Sequence, residues 1–184
     1  RDNPALVYCH VKGYSDHGLL GGLPSYDDIG QAASGLADLQ TAVAGQPRFM
    51  PTILADKVGA LHAALGVVAA VTHRMRTGQG QQVDVAMFEG LTAFNMIEHQ
   101  WGHVFEPPLG PMGYQPVSTA SRRPYKTLDG YLALLPYSDA HWRTFFKLAG
   151  EPQIMDDPRF ATFPARQKHF REVWGEVERQ AARK

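Results

Sequence analysis

The sequence predicts an α/β domain followed by a smaller α+β domain. Two segments, "ALVYCHVKGY" and "GQQVDVAMFEG", alternate apolar and other residues as strands do, and helical patterns lie between them. This strand–helix–helix–strand order is typical of an α/β domain. After "VFEPPLGPMGYQP", a stretch rich in Pro and Gly, the pattern changes to two short strands followed by helices. We therefore predict one domain over residues 1–104 and a second over residues 105–184.

The first helix is predicted from Asp27 to about Leu39, after a strand and a turn-rich loop. One face of this helix carries apolar residues at helical spacing, namely Ile29, Ala32, Ala33 and Leu36. "GQP" at residues 45–47 then interrupts the chain.

A long apolar helix is predicted next, within "TILADKVGALHAALGVVAAVTHRMRTGQGQ". Its larger apolar residues recur at helical spacing and small apolar residues fill the other faces, so we expect a helix that is buried all round. Arg74 and Arg76 suit the negative end of the helix dipole, and Gly78 is a plausible stop. The second strand contains Val83, Val85 and Met87, and a further helix is predicted over residues 88–102.

The second domain is predicted to open with a hairpin. Its two strands lie in "RRPYKTLDGYLALLPYS", with a turn at Asp129 and Gly130. In the helix that follows, Ser138 is the predicted N-cap and Gly150 the C-cap. The apolar residues expected to face the core are Trp142, Phe145 and Phe146 on this helix and Phe170, Val173, Trp174 and Val177 on a last one.

Composition excludes several classes of function. The 184 residues contain 18 Lys+Arg and 18 Asp+Glu, so no net charge attracts nucleic acid or an anionic membrane. The single Cys excludes an internal disulfide and suits a reducing compartment. No signal peptide is recognised, and the uncharged run over residues 58–72 is too short and too rich in Gly and Ala to cross a bilayer. The chain starts without Met and stops within a helical pattern, so we expect it to be part of a longer protein.

One carboxylate, Asp56, stands at the start of the long apolar helix and has two interpretations. Asp is a common N-cap, because its side chain accepts hydrogen bonds from free backbone N–H groups. A carboxylate held at a helix N-terminus can equally serve as a nucleophile toward an activated carbonyl. Lys57 is compatible with both roles, and periodicity does not separate them.

Other candidate groups are weaker. His99 and His103 have the spacing that places two imidazoles on one helix face, yet no third ligand and no H-E-x-x-H arrangement accompany them. We therefore expect no metal site. Cys9 alternates with valines and is predicted to be a small buried apolar residue. Arg122 and Arg123 are predicted to be solvated.

Five segments resemble, in order, successive blocks of the family III CoA-transferases. They are "NPALVYCHVKGY", "YDDIGQAASGL", "ILADKVGALHAALGVVAAVTHRMRTGQGQQVDVAM", "YKTLDGYLALL" and "DDPRFATFPARQKH". The family includes formyl-CoA transferase, the carnitine CoA-transferases and α-methylacyl-CoA racemase. The resemblance implies part of a Rossmann-like large domain followed by a smaller α+β domain, within an interlocked cytoplasmic homodimer. It also implies that much of the CoA pocket lies in a preceding segment, so this chain alone should be inactive.

The resemblance implies a role for six residues. Asp56 matches the nucleophile that forms an aspartyl-CoA thioester while CoA moves from an acyl-CoA to a small carboxylic acid. Lys12, Tyr14 and Met87 match positions that contact CoA, although a solvated lysine and a core methionine would explain Lys12 and Met87 as well. Gly110 and Gly113 fall where the family has a glycine loop that closes over the site, and this loop is poorer in glycine here.

One departure from the family separates transferase from racemase. The racemase branch has a proton-transferring His in the block that reads "PSYDDIG" here, and this chain has Tyr26 in its place. A phenol of ordinary pKa exchanges an α-proton poorly near neutral pH. The alternatives to a transferase are therefore a racemase or epimerase, which Tyr26 disfavours, and a non-catalytic homologue in which Asp56 is only a helix cap.

Overall fold

The computed structural model describes residues 3–184, and the chain divides into two compact units, Arg1–Thr119 and Ala120–Lys184. The division lies beyond the boundary that composition suggests after residue 104. Backbone hydrogen bonds explain the difference, because the Gly-Pro segment returns to the preceding helix. The N–H groups of Leu109, Gly113 and Tyr114 donate to the carbonyls of Gly102, His99 and Glu98, each over 3.0 Å. The identities of the two domains stay a prediction.

The first unit contains a parallel strand pair with helices around it. In chain order its elements are β1 (Tyr8–Lys12), α1 (Asp27–Ala33), α2 (Leu36–Leu39), α3 (Thr41–Ala44), α4 (Leu54–Thr77), β2 (Gln82–Ala86), α5 (Met87–Gln100) and a 3₁₀ turn (Trp101–Val104). β1 and β2 pair in parallel, from Tyr8 opposite Gln82 to Lys12 opposite Ala86. Their connection passes through α4, as the strand–helix–strand pattern predicts. Met87 is the first residue of α5 rather than part of the strand.

The single helix predicted from Asp27 to Leu39 is wrong, because the chain breaks between α1 and α2. Gly35 has φ 81°, a left-handed conformation that cannot continue an α-helix and that favours glycine. Two side chains of α5 hold the break: the Asn95 amide donates to the Ser34 carbonyl over 3.1 Å, and His99 Nε2 lies 3.1 Å from the Gly35 carbonyl oxygen.

Helix α4 has the predicted position but not the predicted burial. It ends where expected, at Gly78 with φ 73°. Its buried residues are Ala55, Val58, Gly59 and Ala70. Larger apolar side chains on another side are exposed: Leu61 by 65%, Leu65 by 70% and Val68 by 64%. The prediction of a helix buried all round is wrong for the described residues, because α1, α5 and the two strands cover only one side of α4.

Within residues 3–184, α4 is the one helix long and apolar enough to cross a membrane by length and composition. It has 24 residues, which exceeds the uncharged run seen in the sequence. The central helix of a water-soluble fold meets the same two criteria, so length and composition do not distinguish the two cases.

The second unit is an antiparallel hairpin with helices packed on it. Its elements are β3 (Tyr125–Lys126), β4 (Tyr131–Leu132), α6 (Asp139–Ala149), a 3₁₀ turn (Pro152–Asp156), α7 (Phe163–Lys168) and α8 (Phe170–Ala181). The predicted turn is confirmed, since the Thr127 N–H donates to the Gly130 carbonyl over 2.9 Å. Ser138 caps α6 by accepting from the His141 N–H over 3.2 Å, and Gly150 ends it with φ 91°.

Aromatic residues form the core of this unit. Its buried members are Tyr125, Trp142, Phe146, Met155, Phe160, Val173, Trp174, Val177 and Ala181. The predicted inward faces of α6 and α8 are thereby confirmed. Arg166 is also buried, at 2% exposure; its guanidinium donates to the Phe160 carbonyl over 2.7 Å, pairs with the Asp139 carboxylate and lies 5.5 Å from the ring centroid of Trp142.

Candidate functional site

Three of the predicted site segments meet at one edge of the parallel strand pair. The last pair of the ladder is Lys12 and Ala86, so the turn after β1 and the start of α5 both leave from the carboxyl edge. The crossover helix α4 begins on this side, since it must run back before β2. Helices α4 and α5 touch near this edge at Gly59 and Met87, since a Cβ added to Gly59 would lie 2.9 Å from Met87 Cγ. Ligands of parallel sheets bind outside this edge.

The start of α4 is capped by a side chain from another helix. The N-cap position is Ile53, so Asp56 is the third helical residue. The backbone N–H groups of Ala55 and Asp56 both donate to Asp27 Oδ1, over 2.7 and 3.2 Å. The interpretation of Asp56 as the N-cap is therefore wrong, because Asp27 of α1 accepts the hydrogen bonds that a cap would accept.

A buried glutamine holds the Asp27 carboxylate in place. Gln31 is fully buried and Asp27 is 9% exposed. The Gln31 amide nitrogen donates to Asp27 Oδ2 over 2.6 Å and to the Thr52 carbonyl over 3.2 Å, while its oxygen accepts from the Met50 N–H over 2.8 Å. We name Asp27 and Gln31 together the cap pair. It joins α1, the segment before α4, and the first turn of α4.

The Asp56 side chain itself is exposed. Among residues 3–184 no hydrogen bond to its carboxylate is found, and Lys57 turns away to donate to Thr52 Oγ1 over 2.5 Å. The backbone of Asp56 is thus fixed by Asp27, while its carboxylate oxygens are exposed and free to contact a ligand. This combination suits a group that must react with a substrate carbonyl.

Lys12 reaches the same edge but its ammonium group is engaged. It lies 2.5 Å from an Asp16 oxygen and 3.1 Å from an Asp84 oxygen, and its side chain is only 13% exposed. The hydrogen bond to Asp16, with support from Asp84, raises the pKa of Lys12. The pKa of Asp84 is lowered, first by the Gln82 amide and then by Lys12. A contact between Lys12 and CoA stays a prediction.

Tyr14 is buried rather than open to a ligand. It is 7% exposed and its ring centroid lies 5.5 Å from that of Phe88. The backbone around it is tied to α5, because the Phe88 N–H donates to the Gly13 carbonyl over 3.0 Å and the Ser15 N–H donates to Glu89 Oε1 over 3.0 Å. In this chain Tyr14 fixes the turn after β1, and its contact with CoA stays a prediction.

The predicted glycine loop lies at the far end of α5. Gly113 has φ 86° and its N–H donates to the His99 carbonyl over 3.0 Å, while Gly110 lines an apolar groove of about 600 Å³ beside Trp101. Helix α5 rises about 20 Å between its first and last residues at 1.5 Å per residue. The described chain therefore brings Lys12, Tyr14 and Met87 to the end of the sheet where α4 begins with Asp56, and leaves Gly110 and Gly113 at the opposite end of α5.

No metal centre is found in the part of the chain that the structure describes, where no three His, Cys, Asp or Glu side chains are grouped suitably. The His99 imidazole is hydrogen-bonded to the Gly35 carbonyl oxygen. Cys9 is partly exposed rather than buried.

Comparison with known proteins identifies the fold and the family. The model of CoA-transferase family III matches residues 1–184. The probable fatty acyl-CoA transferase Rv3272 of Mycobacterium tuberculosis is 29% identical over 99% of this chain and 49% of its own length. The succinyl-CoA–D-citramalate CoA-transferase of Chloroflexus aurantiacus is 33% identical over 93% of this chain and 43% of its own length.

Solved structures agree with this result. The crystal structure of Rv3272 superimposes with a TM-score of 0.81 at 28% identity, covering 100% of this chain and 48% of that one. The mixed, helix-rich α/β architecture is thereby confirmed, and the chain spans about half the length of the relatives it matches. The chain belongs to CoA-transferase family III.

Proposed function

We propose that the protein containing this chain transfers CoA from an acyl-CoA to a carboxylic acid, with Asp56 as the nucleophile. One observation carries the proposal: the Asp56 carboxylate is exposed and free of hydrogen bonds within the described residues, because Asp27 performs the capping. Family membership supports CoA chemistry in general. The curated relatives act on different acids by name, so the donor and acceptor are described here only by class.

The reaction is an exchange of carboxylates that keeps the energy of the thioester. An Asp56 oxygen attacks the carbonyl of the acyl-CoA, the carbon–sulfur bond breaks, and a mixed anhydride and CoA thiolate result. The thiolate then attacks the aspartyl carbonyl and releases the donor acid as its carboxylate, leaving an aspartyl-CoA thioester. An acceptor carboxylate attacks that thioester, expelling CoA thiolate and forming a second mixed anhydride. The thiolate then attacks the acceptor's acyl carbonyl, which gives the new acyl-CoA and releases Asp56 as its carboxylate. No net proton is taken up.

We infer that the remaining CoA contacts come from outside this chain, in the interlocked homodimer that the family resemblance implies. Lys12, Tyr14 and Met87, near the carboxyl edge, are the residues through which this chain would contribute to CoA binding. Isolated residues 1–184 are accordingly expected to show no transfer.

The test is to trap the aspartyl intermediate in the complete protein. The protein is incubated with a panel of acyl-CoAs, quenched with hydroxylamine, digested and examined by mass spectrometry. We expect a hydroxamate on Asp56, and Asp56→Asn should lower transfer by about 10³-fold or more. The unfolding temperature should change little, since the Asp56 side chain makes no cap bond and loses only its interaction with the helix dipole. Asp28→Asn, which alters an exposed carboxylate of α1, is the matched control.

The alternatives give different results. A racemase would exchange the substrate α-proton with solvent deuterium and need no carboxylate acceptor. A protein that binds CoA yet forms no adduct with any acyl-CoA would contradict the proposal and favour a non-catalytic homologue.

A further inference from the structure

The geometry points to Asp27, held by Gln31, as the positioning residue that sets the nucleophile Asp56 in its reactive place. This inference rests on the proposed function, and it concerns how the backbone under the reacting carboxylate is fixed. Asp27 bonds the backbone N–H groups of Ala55 and Asp56, so it acts on the nucleophile through the first turn of α4.

The first step concerns the backbone bonds. Asp27 Oδ1 accepts from the N–H of Asp56 itself, over 3.2 Å, and from that of Ala55, over 2.7 Å. Ala55 is fully buried, so its N–H has no access to water as a substitute partner. The reach of the Asp56 carboxylate toward a thioester carbonyl is therefore set by where the Asp27 oxygen lies.

The second step concerns how firmly that oxygen is held. The other oxygen, Asp27 Oδ2, accepts from the Gln31 amide over 2.6 Å, and the other end of that amide accepts from the Met50 N–H over 2.8 Å. Helix α1 also approaches α4 closely, since a Cβ added to Gly30 would lie 3.0 Å from Ala55 Cβ. The carboxylate thus has little freedom to move or turn.

The third step concerns charge. A carboxylate at a helix N-terminus interacts favourably with the helix dipole and with the free N–H groups. Because Asp27 occupies this place, the N–H groups of Ala55 and Asp56 are not available to hold the Asp56 oxygens. The cap pair thereby leaves the Asp56 carboxylate open for attack instead of letting it fold back as a cap.

The experiment measures formation of the Asp56 adduct in a single turnover of the complete protein, under saturating acyl-CoA. Asp27→Asn keeps the size of the side chain and the oxygen that accepts from Ala55 and Asp56. It removes the negative charge, and the new amide nitrogen replaces the oxygen that accepts from the Gln31 amide nitrogen. Gln31→Met keeps Asp27 but removes the hydrogen bond from the Gln31 amide to Asp27 Oδ2, together with the bonds of Gln31 to Thr52 and Met50. A displacement of the order of 1 Å costs about 100-fold in rate, so we expect adduct formation to slow by about 10- to 100-fold in both variants. Asp28→Asn should react at the wild-type rate.

Two further readouts separate positioning from general loss of structure. The dissociation constant for CoA should stay near wild type in Asp27→Asn and the protein should remain folded at the assay temperature, with a modest fall in unfolding temperature. Hydrogen exchange should accelerate in the peptide that carries Ala55 and Asp56. An unchanged adduct rate in Asp27→Asn overturns the inference. A fall in unfolding temperature and CoA affinity, with the adduct rate per folded molecule unchanged, assigns a purely structural role and overturns it as well. Absence of any adduct in the wild type would instead refute the proposed function, and the inference with it.

Discussion

The two units of the chain differ in how completely they bury their apolar side chains. The second unit surrounds Phe146 and Val177, both fully buried, with Tyr125, Trp142 and Trp174. The core cluster in the first unit consists of Ala55, Val58 and Leu91, with Leu36 and Leu54 packed against it. The first unit also leaves much of α4 exposed. The unit that carries the candidate chemistry is therefore the one that is less complete on its own.

This difference teaches where stability and reactivity reside. A closely packed aromatic core stabilises a fold from within, so truncating one of its side chains is costly. A large exposed apolar surface instead marks a place where another surface binds. We infer that the second unit depends mainly on itself and that the first depends on contacts from outside the described chain. The following substitutions test that contrast.

The largest effect is expected in the core of the second unit. Phe146→Ala removes a fully buried ring that packs on Trp142, with centroids 6.2 Å apart, and should cost about 3–5 kcal/mol of unfolding free energy. Urea unfolding followed by tryptophan fluorescence measures it, since Trp142 and Trp174 lie in this core. Leu148→Ala, on the same helix but 78% exposed, should change stability by less than about 0.5 kcal/mol. Equal losses of unfolding free energy in the two variants would contradict the interpretation that the second unit is stabilised by its buried aromatic core.

A smaller effect should reveal whether α4 is covered in the complete protein. Leu65 is 70% exposed in this chain, yet a helix with apolar residues on nearly every face is normally buried. We expect Leu65→Gln to destabilise the complete protein by about 1.5–3 kcal/mol, the value for a buried leucine. His73→Gln, a polar change at an exposed position of the same helix, serves as control. If thermal unfolding of the two variants is the same, this side of α4 faces water.

The smallest effect concerns acid sensitivity of the second unit. Arg179 donates to Glu151 over 2.7 Å and holds the pKa of that carboxyl at about 2, below its ordinary value of 4.5. A carboxyl with a lowered pKa stabilises the fold above its unfolded pKa and loses that contribution as the pH falls. Unfolding temperature should therefore drop less in Glu151→Gln than in the wild type between about pH 4.5 and pH 2. Glu106→Gln, an exposed carboxyl of the first unit, should follow the wild-type curve.

Local signals in the sequence predicted much of the fold. Alternation located β1 and β2, and Ser138, Gly78 and Gly150 marked helix ends, because caps and strand periods depend on neighbouring residues. The family resemblance singled out Asp56. The sequence did not reveal the cap bond between Asp27 and Ala55, since its partners are 28 residues apart and no local pattern links them.

The break at Gly35 and the exposed side of α4 were both missed in the sequence. Gly35 carries the same local stop signal as Gly78 and Gly150, but the apolar spacing continues past it, and the contact from His99, 64 residues later, has no local pattern. Burial of α4 depends on which other elements are present, and an apolar pattern states only a preference. The position of the break is thus encoded locally by Gly35, whereas the exposure of α4 is set by nonlocal contacts.

The cap pair also restricts how this protein can be recombined with its relatives. A chimera with its crossover between α1 and α4 would join Asp27 and Gln31 from one parent to the segment from Met50 to Asp56 of another. The donors and acceptors of the hydrogen bonds at the start of α4 would then come from two different parents and need not match. A crossover between Thr119 and Ala120 keeps that whole unit, and with it the cap pair and its partners, from one parent, so segment exchange is best made there.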